Sequence, residues 1–273
     1  MDLLSGRRKT KGAHDMRFHY LAGVFTIAAA TAIAAADPPY AGKWKMNPAR
    51  SNFGELTVVY EQLPSGEMQE TTSGQSYKFK VDGKDYPDHF GNTAAWKSLS
   101  STSWERTLKL KGKVLTTDTL TLSPDGKSLT TDSKGTKPNG ETIHDTFVFE
   151  RVSGGPGLAG KWKASNMKSS SPSLLELAPS GSDGLTFKIV DMGLTCDSKL
   201  DGKDYPCTGP TLSEGWTVAL VTSGLRSLNM TIKQNGKDFY KVVYTVSPDG
   251  KTLTESGTAT GTDEKIKVVY DRQ

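Results

Sequence analysis

Histidine and cysteine are scarce in this 273-residue chain, with four of one and two of the other. His14 and His19 fall within the first 36 residues, which leaves His89 and His144 for any folded part. Neither has carboxylate or thiol neighbours at metal-ligand spacing, so no metal centre is expected. The chain has no Gly-x-Ser-x-Gly elbow, no assembled Ser/His/Asp set and no Gly-rich phosphate loop. Asp118, Glu150 and Asp271 lie in extended stretches and read as solvated or lysine-paired carboxylates, although an inward one would orient a ligand or act as a base. We therefore expect no catalytic residue, no cofactor and no enzyme. Long apolar runs are also missing. The longest, Leu21 to Ile33, is shorter than the ~20 residues a membrane-spanning helix needs. No later segment carries a helical stripe of any length.

That apolar run follows Arg7, Arg8, Lys9, Lys11 and Arg17 and ends at Ala34-Ala35-Ala36. A basic start, an uncharged core and small residues before the cut form a secretory signal peptide over residues 1–36, cleaved near Ala36. The expected destination is periplasmic or extracellular, with no stable membrane anchor after processing. Residues 1–36 hold five of the 34 Lys/Arg and two of the 30 Asp/Glu, which leaves 29 against 28. The apparent basicity thus belongs to the leader, and nothing global favours nucleic acid. In an exported chain Cys196 and Cys207 are expected to form a disulfide.

What the sequence does have is a phrase written twice. Gly42-Lys43-Trp44-Lys45 recurs as Gly160-Lys161-Trp162-Lys163. Asp82-Gly83-Lys84-Asp85-Tyr86-Pro87 recurs as Asp201-Gly202-Lys203-Asp204-Tyr205-Pro206, Trp96 as Trp216, and Ser123-Pro124-Asp125-Gly126-Lys127 as Ser247-Pro248-Asp249-Gly250-Lys251. Phe149-Glu150-Arg151 matches Tyr270-Asp271-Arg272. These matches keep their order, so the chain reads as two copies, 40–152 and 158–273, joined by a flexible linker at 153–157 (Ser-Gly-Gly-Pro-Gly).

Within each copy the period is two. Tyr77, Phe79 and Val81 alternate with lysines, as do Leu108 and Leu110, and Tyr240, Val242, Tyr244 and Val246 share one face. Asp-Gly and Asn-Gly pairs separate these runs and suit tight hairpins. Each copy is expected to be an up-and-down antiparallel meander of about eight strands that removes its edges by closing into a barrel.

Gly-x-Trp at the start of a module and Arg at its end resemble the calycin superfamily of lipocalins, fatty-acid-binding proteins and avidins. The resemblance implies that each copy is a lipocalin-like barrel. It also implies that Trp44 plugs one barrel floor under Arg151, and Trp162 the other under Arg272, with Gly42 and Gly160 alongside. The helix that follows many lipocalin barrels is absent.

Barrels of about eight strands are either just filled or hold one small ligand. Tyr77, Phe79 and Phe147 in copy one, and Phe187, Tyr240 and Tyr244 in copy two, are the candidate lining residues. The expected function is non-catalytic binding of a small, partly apolar molecule. The alternatives are a cell-envelope or extracellular interaction or structural module with filled barrels and no ligand, its protein partner unknown, and a barrel enzyme of unknown reaction.

Overall fold

The structure, a computed structural model, describes residues 37–53, 56–260, 262–263 and 265–273. The expected leader lies outside the described residues. The chain is all-β, with two ten-stranded antiparallel sheets and two single-turn 3-10 segments, Pro48–Arg50 and Val190–Met192. Each sheet has ten strands rather than the expected eight, because the short stretches flanking Asp-Gly turns pair as strands of their own.

The strands in chain order are β1 (Gly42–Met46), β2 (Thr57–Gln62), β3 (Met68–Thr72), β4 (Gln75–Phe79), β5 (Asp85–Pro87), β6 (Thr93–Ser100), β7 (Ser103–Leu110), β8 (Lys113–Leu122), β9 (Ser128–Thr136) and β10 (Thr142–Ser153). The second half supplies β11 (Gly160–Ser169), β12 (Leu174–Ser180), β13 (Gly184–Ile189), β14 (Leu194–Lys199), β15 (Tyr205–Thr208), β16 (Trp216–Gly224), β17 (Ser227–Gln234), β18 (Lys237–Val246), β19 (Thr252–Ala259) and β20 (Lys265–Arg272). The Asp-Gly and Asn-Gly turns behave as their chemistry requires. Gly83, Gly126, Gly140, Gly202, Gly236 and Gly250 all take positive φ, which costs glycine nothing.

The order of strands in the sheets corrects the expected domain boundaries. One sheet runs β4-β3-β2-β11-β10-β9-β8-β7-β6-β5, and the other closes as β1-β12-β13-β14-β15-β16-β17-β18-β19-β20. The two copies have exchanged their first strands. β1 lies between β12 and β20, and β11 lies between β10 and β2. Barrel 1 therefore comprises residues 57–169, and barrel 2 comprises 174–272 with 42–46 added. The stretch 153–157 is not an interdomain linker but part of the hairpin loop between β10 and β11. Arg151 holds that loop, donating to the carbonyls of Gly155, Gly157 and Ala159.

The chain passes between the barrels after β1 and again at 170–173. Asn47 donates its amide to Val269 in barrel 2, while the Leu56 carbonyl accepts from Ala164 in barrel 1. Asn47-Pro48 and Ser171-Pro172 sit at these passages, where the other inter-strand turns mostly use Gly. Asn47 takes the extended backbone that a residue before proline favours, and Pro48 opens a 3-10 turn in place of a tight hairpin, so β1 is not folded back onto β2.

Floors and mouths follow from the same register. Trp44 and Trp162 are fully buried, and each indole N–H donates to the carbonyl four residues back, Tyr40 and Leu158. The guanidinium over Trp44 belongs to Arg272, and that over Trp162 to Arg151, each 4.0 Å from the ring. This corrects the pairing implied by the family resemblance. Gly42 (φ +138°) and Gly160 (φ +148°) have these guanidinium groups where a Cβ would stand, which explains the Gly of Gly-x-Trp.

The other ends of the barrels meet. The β5–β6 turn of barrel 1 accepts a hydrogen bond at the Phe90 carbonyl from Ser213 of the β15–β16 loop, at 2.6 Å. Lys111 pairs with Glu214, and the β3–β4 turn at Gly74 packs against Thr260 and Thr262. Lys137, on the β9–β10 turn, is buried in an ion pair with Asp191 and donates to the Ser171 carbonyl. The β3–β4, β5–β6, β7–β8 and β9–β10 turns of barrel 1 thus each contact the second half of the chain.

Candidate functional site

Each barrel keeps an interior cavity of about 230 Å³. Strand pairing makes the two directly comparable. Trp96 faces Arg106 across β6 and β7, and Leu220 faces Met230 across β16 and β17. Tyr86 faces Ala94, and Tyr205 faces Val218. Trp96 is therefore equivalent to Leu220 and not to Trp216. The intervening β15–β16 loop is longer than its counterpart and displaces Trp216 to the mouth.

In barrel 1, Glu70 on β3, Arg106 on β7 and Asp118 on β8 point into the cavity. The Arg106 Nε and Nη2 reach Asp118 at 2.9 and 2.8 Å, and its Nη1 reaches Glu70 at 3.1 Å. The Tyr77 hydroxyl donates to Glu70 at 3.0 Å and accepts from the Trp96 indole at 3.0 Å. Ser133 donates to Asp118, and the guanidinium lies 5.4 Å from the Trp96 ring. Burial opposes the guanidinium's charge, but Glu70 and Asp118 outweigh it and hold Arg106 firmly protonated. Burial, and then the Glu70 charge, push the Tyr77 phenol far above its ordinary range, so it stays a donor. Leu108, Leu129, Phe147 and Phe149 supply apolar walls, and Phe90 stands at the mouth.

The same positions in barrel 2 are apolar. By register, Glu70 corresponds to Phe187, Arg106 to Met230, Asp118 to Val242 and Tyr77 to Cys196. Barrel 2 carries a different polar group, Glu255 on β19, where barrel 1 has Thr131. Its carboxylate accepts from Tyr270 at 2.7 Å. Glu255 is walled in by protein yet has surface on the cavity, so it is enclosed without being packed solid. Burial raises its pKa above the ordinary carboxylate value.

A raised carboxylate stabilises the fold below its unfolded pKa, and that stability is lost as pH climbs through the folded value. Glu255→Gln should therefore melt higher than wild type at pH 8, with the gap closing towards pH 4. Thermal unfolding at the two pH values measures this; a gap that is independent of pH would contradict it.

The two mouths are separated by aromatic rings. Phe90 lines cavity 1 and meets Phe239 edge-on at 5.6 Å, and Phe239 meets Trp216, which lines cavity 2, at 5.1 Å. His89 lies between Tyr77 and Phe90, and burial lowers its pKa. His144 is exposed and pairs with Asp132 at 2.7 Å.

Among the six candidate lining residues, Tyr77 and Phe147 line cavity 1, and Phe187 and Tyr244 line cavity 2. Phe79 does not: it is buried and stacked on Trp96 at 4.5 Å. Tyr240 does not either, and its ring lies over Gly257, where a Cβ would collide with it. The sequence reading missed Glu70, Arg106 and Glu255. Arg106 shares its face of β7 with Trp104, Leu108 and Leu110, and a charge in an apolar phase of a strand was the available signal.

The disulfide between Cys196 and Cys207 joins β14 to β15. The equivalent strands of barrel 1, β4 and β5, are not paired, and its sheet ends there. The bridge spans 11 residues, so replacing both cysteines with alanine should cost no more than ~3 kcal/mol. Amide exchange should rise along β14 and β15. Unchanged exchange there would show that backbone pairing alone closes barrel 2.

Among the described residues no group of three or more His, Cys, Asp or Glu is placed to hold a metal, and no helix is long and apolar enough to cross a membrane. The fold and its two cavities define an all-β protein of two antiparallel barrel-like sheets with exchanged first strands. No protein-family model, curated protein or solved structure matches the chain.

Proposed function

We propose that this protein is a non-catalytic binder of small, partly apolar molecules held inside its barrels. We further propose that it works outside the cytoplasm and is a divergent, lipocalin-like member of the calycin superfamily. The observation that carries the binding reading is the contrast between the two interiors. Barrel 2 fills the positions of Glu70, Arg106 and Asp118 with Phe187, Met230 and Val242, so this architecture has no need of the charges. Buried ion networks seldom improve on apolar packing for stability. A polar cluster beside open space in barrel 1 is then best understood as ligand recognition, with apolar walls and a few convergent polar groups. The floor built from Gly42, Trp44 and Arg272, repeated by Gly160, Trp162 and Arg151, supports the kinship. The basic and apolar leader and the disulfide support export.

The test is native mass spectrometry of the full chain recovered from its host's exported fraction, before and after organic extraction. A discrete added mass that extraction removes is the expected result. Bare protein in both samples, with no rebinding of the extract, would favour filled barrels acting as an interaction module.

A further inference from the structure

We infer that the cavity of barrel 2 is a site for a small apolar amine, whose ammonium group pairs with Glu255. This rests on the reading that the barrels hold ligands and adds the chemical class for one of them. Among the described residues no Lys, Arg or His stands within ion-pair distance of Glu255. Its hydrogen-bond partners are the neutral phenols of Tyr270 and Tyr244. The interior position that supplies a guanidinium in barrel 1 is occupied here by Met230. Barrel 2 thus keeps a carboxylate and lacks its counter-charge. An enclosed carboxylate without a cation is costly, and an opposite charge at close range relieves that cost most strongly where water is absent.

The rest of the wall is mostly apolar, with Leu175, Phe187, Ile189, Val218, Met230 and Ile232, and Ser173 is a further polar group on it. Such a wall recognises a hydrocarbon body, and Glu255 is the one charged group on it. The volume, about 230 Å³, exceeds the ~150 Å³ that accommodates benzene in an engineered apolar cavity, so one ring with an aminomethyl arm fits. A neutral alcohol can hydrogen-bond to Glu255 but leaves its charge uncompensated, and a carboxylate ligand is repelled.

Benzylamine, benzyl alcohol and benzoate share one ring and differ in charge. We would titrate each into the full chain labelled with 13C at its methionine methyl groups. Met230 lines this cavity and no methionine lines the other, so the Met230 methyl signal reports where the probe sits. Benzylamine should shift that signal and bind at least tenfold more tightly than benzyl alcohol, with benzoate not binding. Glu255→Gln should abolish the tenfold preference while benzyl alcohol still binds. Tyr270→Phe, which leaves the carboxylate in place, should retain the preference and controls for damage to the barrel.

If benzyl alcohol or benzoate binds as well as the amine, or if the preference survives Glu255→Gln, the amine site is refuted while the hollow-barrel reading stands. If no probe moves the Met230 signal, barrel 2 admits no ligand of this size. The amine site and ligand binding by this barrel then fall together.

Discussion

Replacing Trp44 with alanine is expected to loosen barrel 2 and to spare barrel 1, although Trp44 precedes every strand of barrel 1 in the chain. The indole is fully buried between β12 and β20, its N–H satisfied by Tyr40 and its face covered by Arg272. Removing a packed aromatic of this size costs ~3–5 kcal/mol, from lost burial and the cavity left behind. Hydrogen exchange should therefore accelerate across residues 174–272 and much less across residues 57–153. Trp162→Ala should give the converse, with exchange accelerating in residues 57–153. Should Trp44→Ala instead expose residues 57–153, the strand exchange would be disproved and each copy would form its own barrel. Exchange resolved by segment is needed, because the crossings after β1 and at 170–173 and the Lys137–Asp191 pair couple the barrels in a global melt.

The duplication, the strands and the tight turns were legible because each has a local chemical cause. Period-two alternation marks a half-buried strand, and Asp-Gly marks positive φ. The exchange was much less legible for a physical reason. Trp44 and Trp162 sit in nearly identical surroundings, each under an arginine and beside a glycine, so local sequence cannot say which copy supplies the arginine. Only the hinges differ: Asn47-Pro48 and Ser171-Pro172 stand where a two-residue Gly turn would have closed a hairpin. The aromatics reached the cavities in part. Tyr77, Phe147, Phe187 and Tyr244 face open space, whereas Phe79 was consumed by stacking on Trp96 and Tyr240 by packing over Gly257. Face alone cannot separate lining from filling, which depends on the height of a residue between floor and mouth. Trp96 and Trp216 matched as letters and not as positions, because the longer β15–β16 loop moves Trp216 to the mouth.

Arg106→Leu should be as damaging as the loss of a floor tryptophan, for a different reason. It leaves Glu70 and Asp118 enclosed without their shared cation, and breaking a buried ion pair on one side costs ~3–5 kcal/mol. Urea midpoints of wild type and Arg106→Leu measure it. A much smaller loss would mean that Arg106 matters through packing against Trp96 and not through charge. Arg106→Lys keeps the charge but lacks the planar fork that engages both carboxylates, so it should fall between wild type and Arg106→Leu.

The decisive comparison is the triple change Glu70→Phe, Arg106→Met and Asp118→Val, which writes barrel 2's own interior into barrel 1. Apolar replacement of a buried ionic triad is often neutral or stabilising by ~1–4 kcal/mol, and this fold already accommodates these side chains at these positions. The triple variant should therefore regain the stability that Arg106→Leu loses, and lose any ligand held in the first cavity. Recovery of stability with loss of binding would show that the network serves recognition. A triple variant as unstable as Arg106→Leu would show that barrel 1 needs its charges to stand, and the contrast between the two interiors would no longer argue for a ligand.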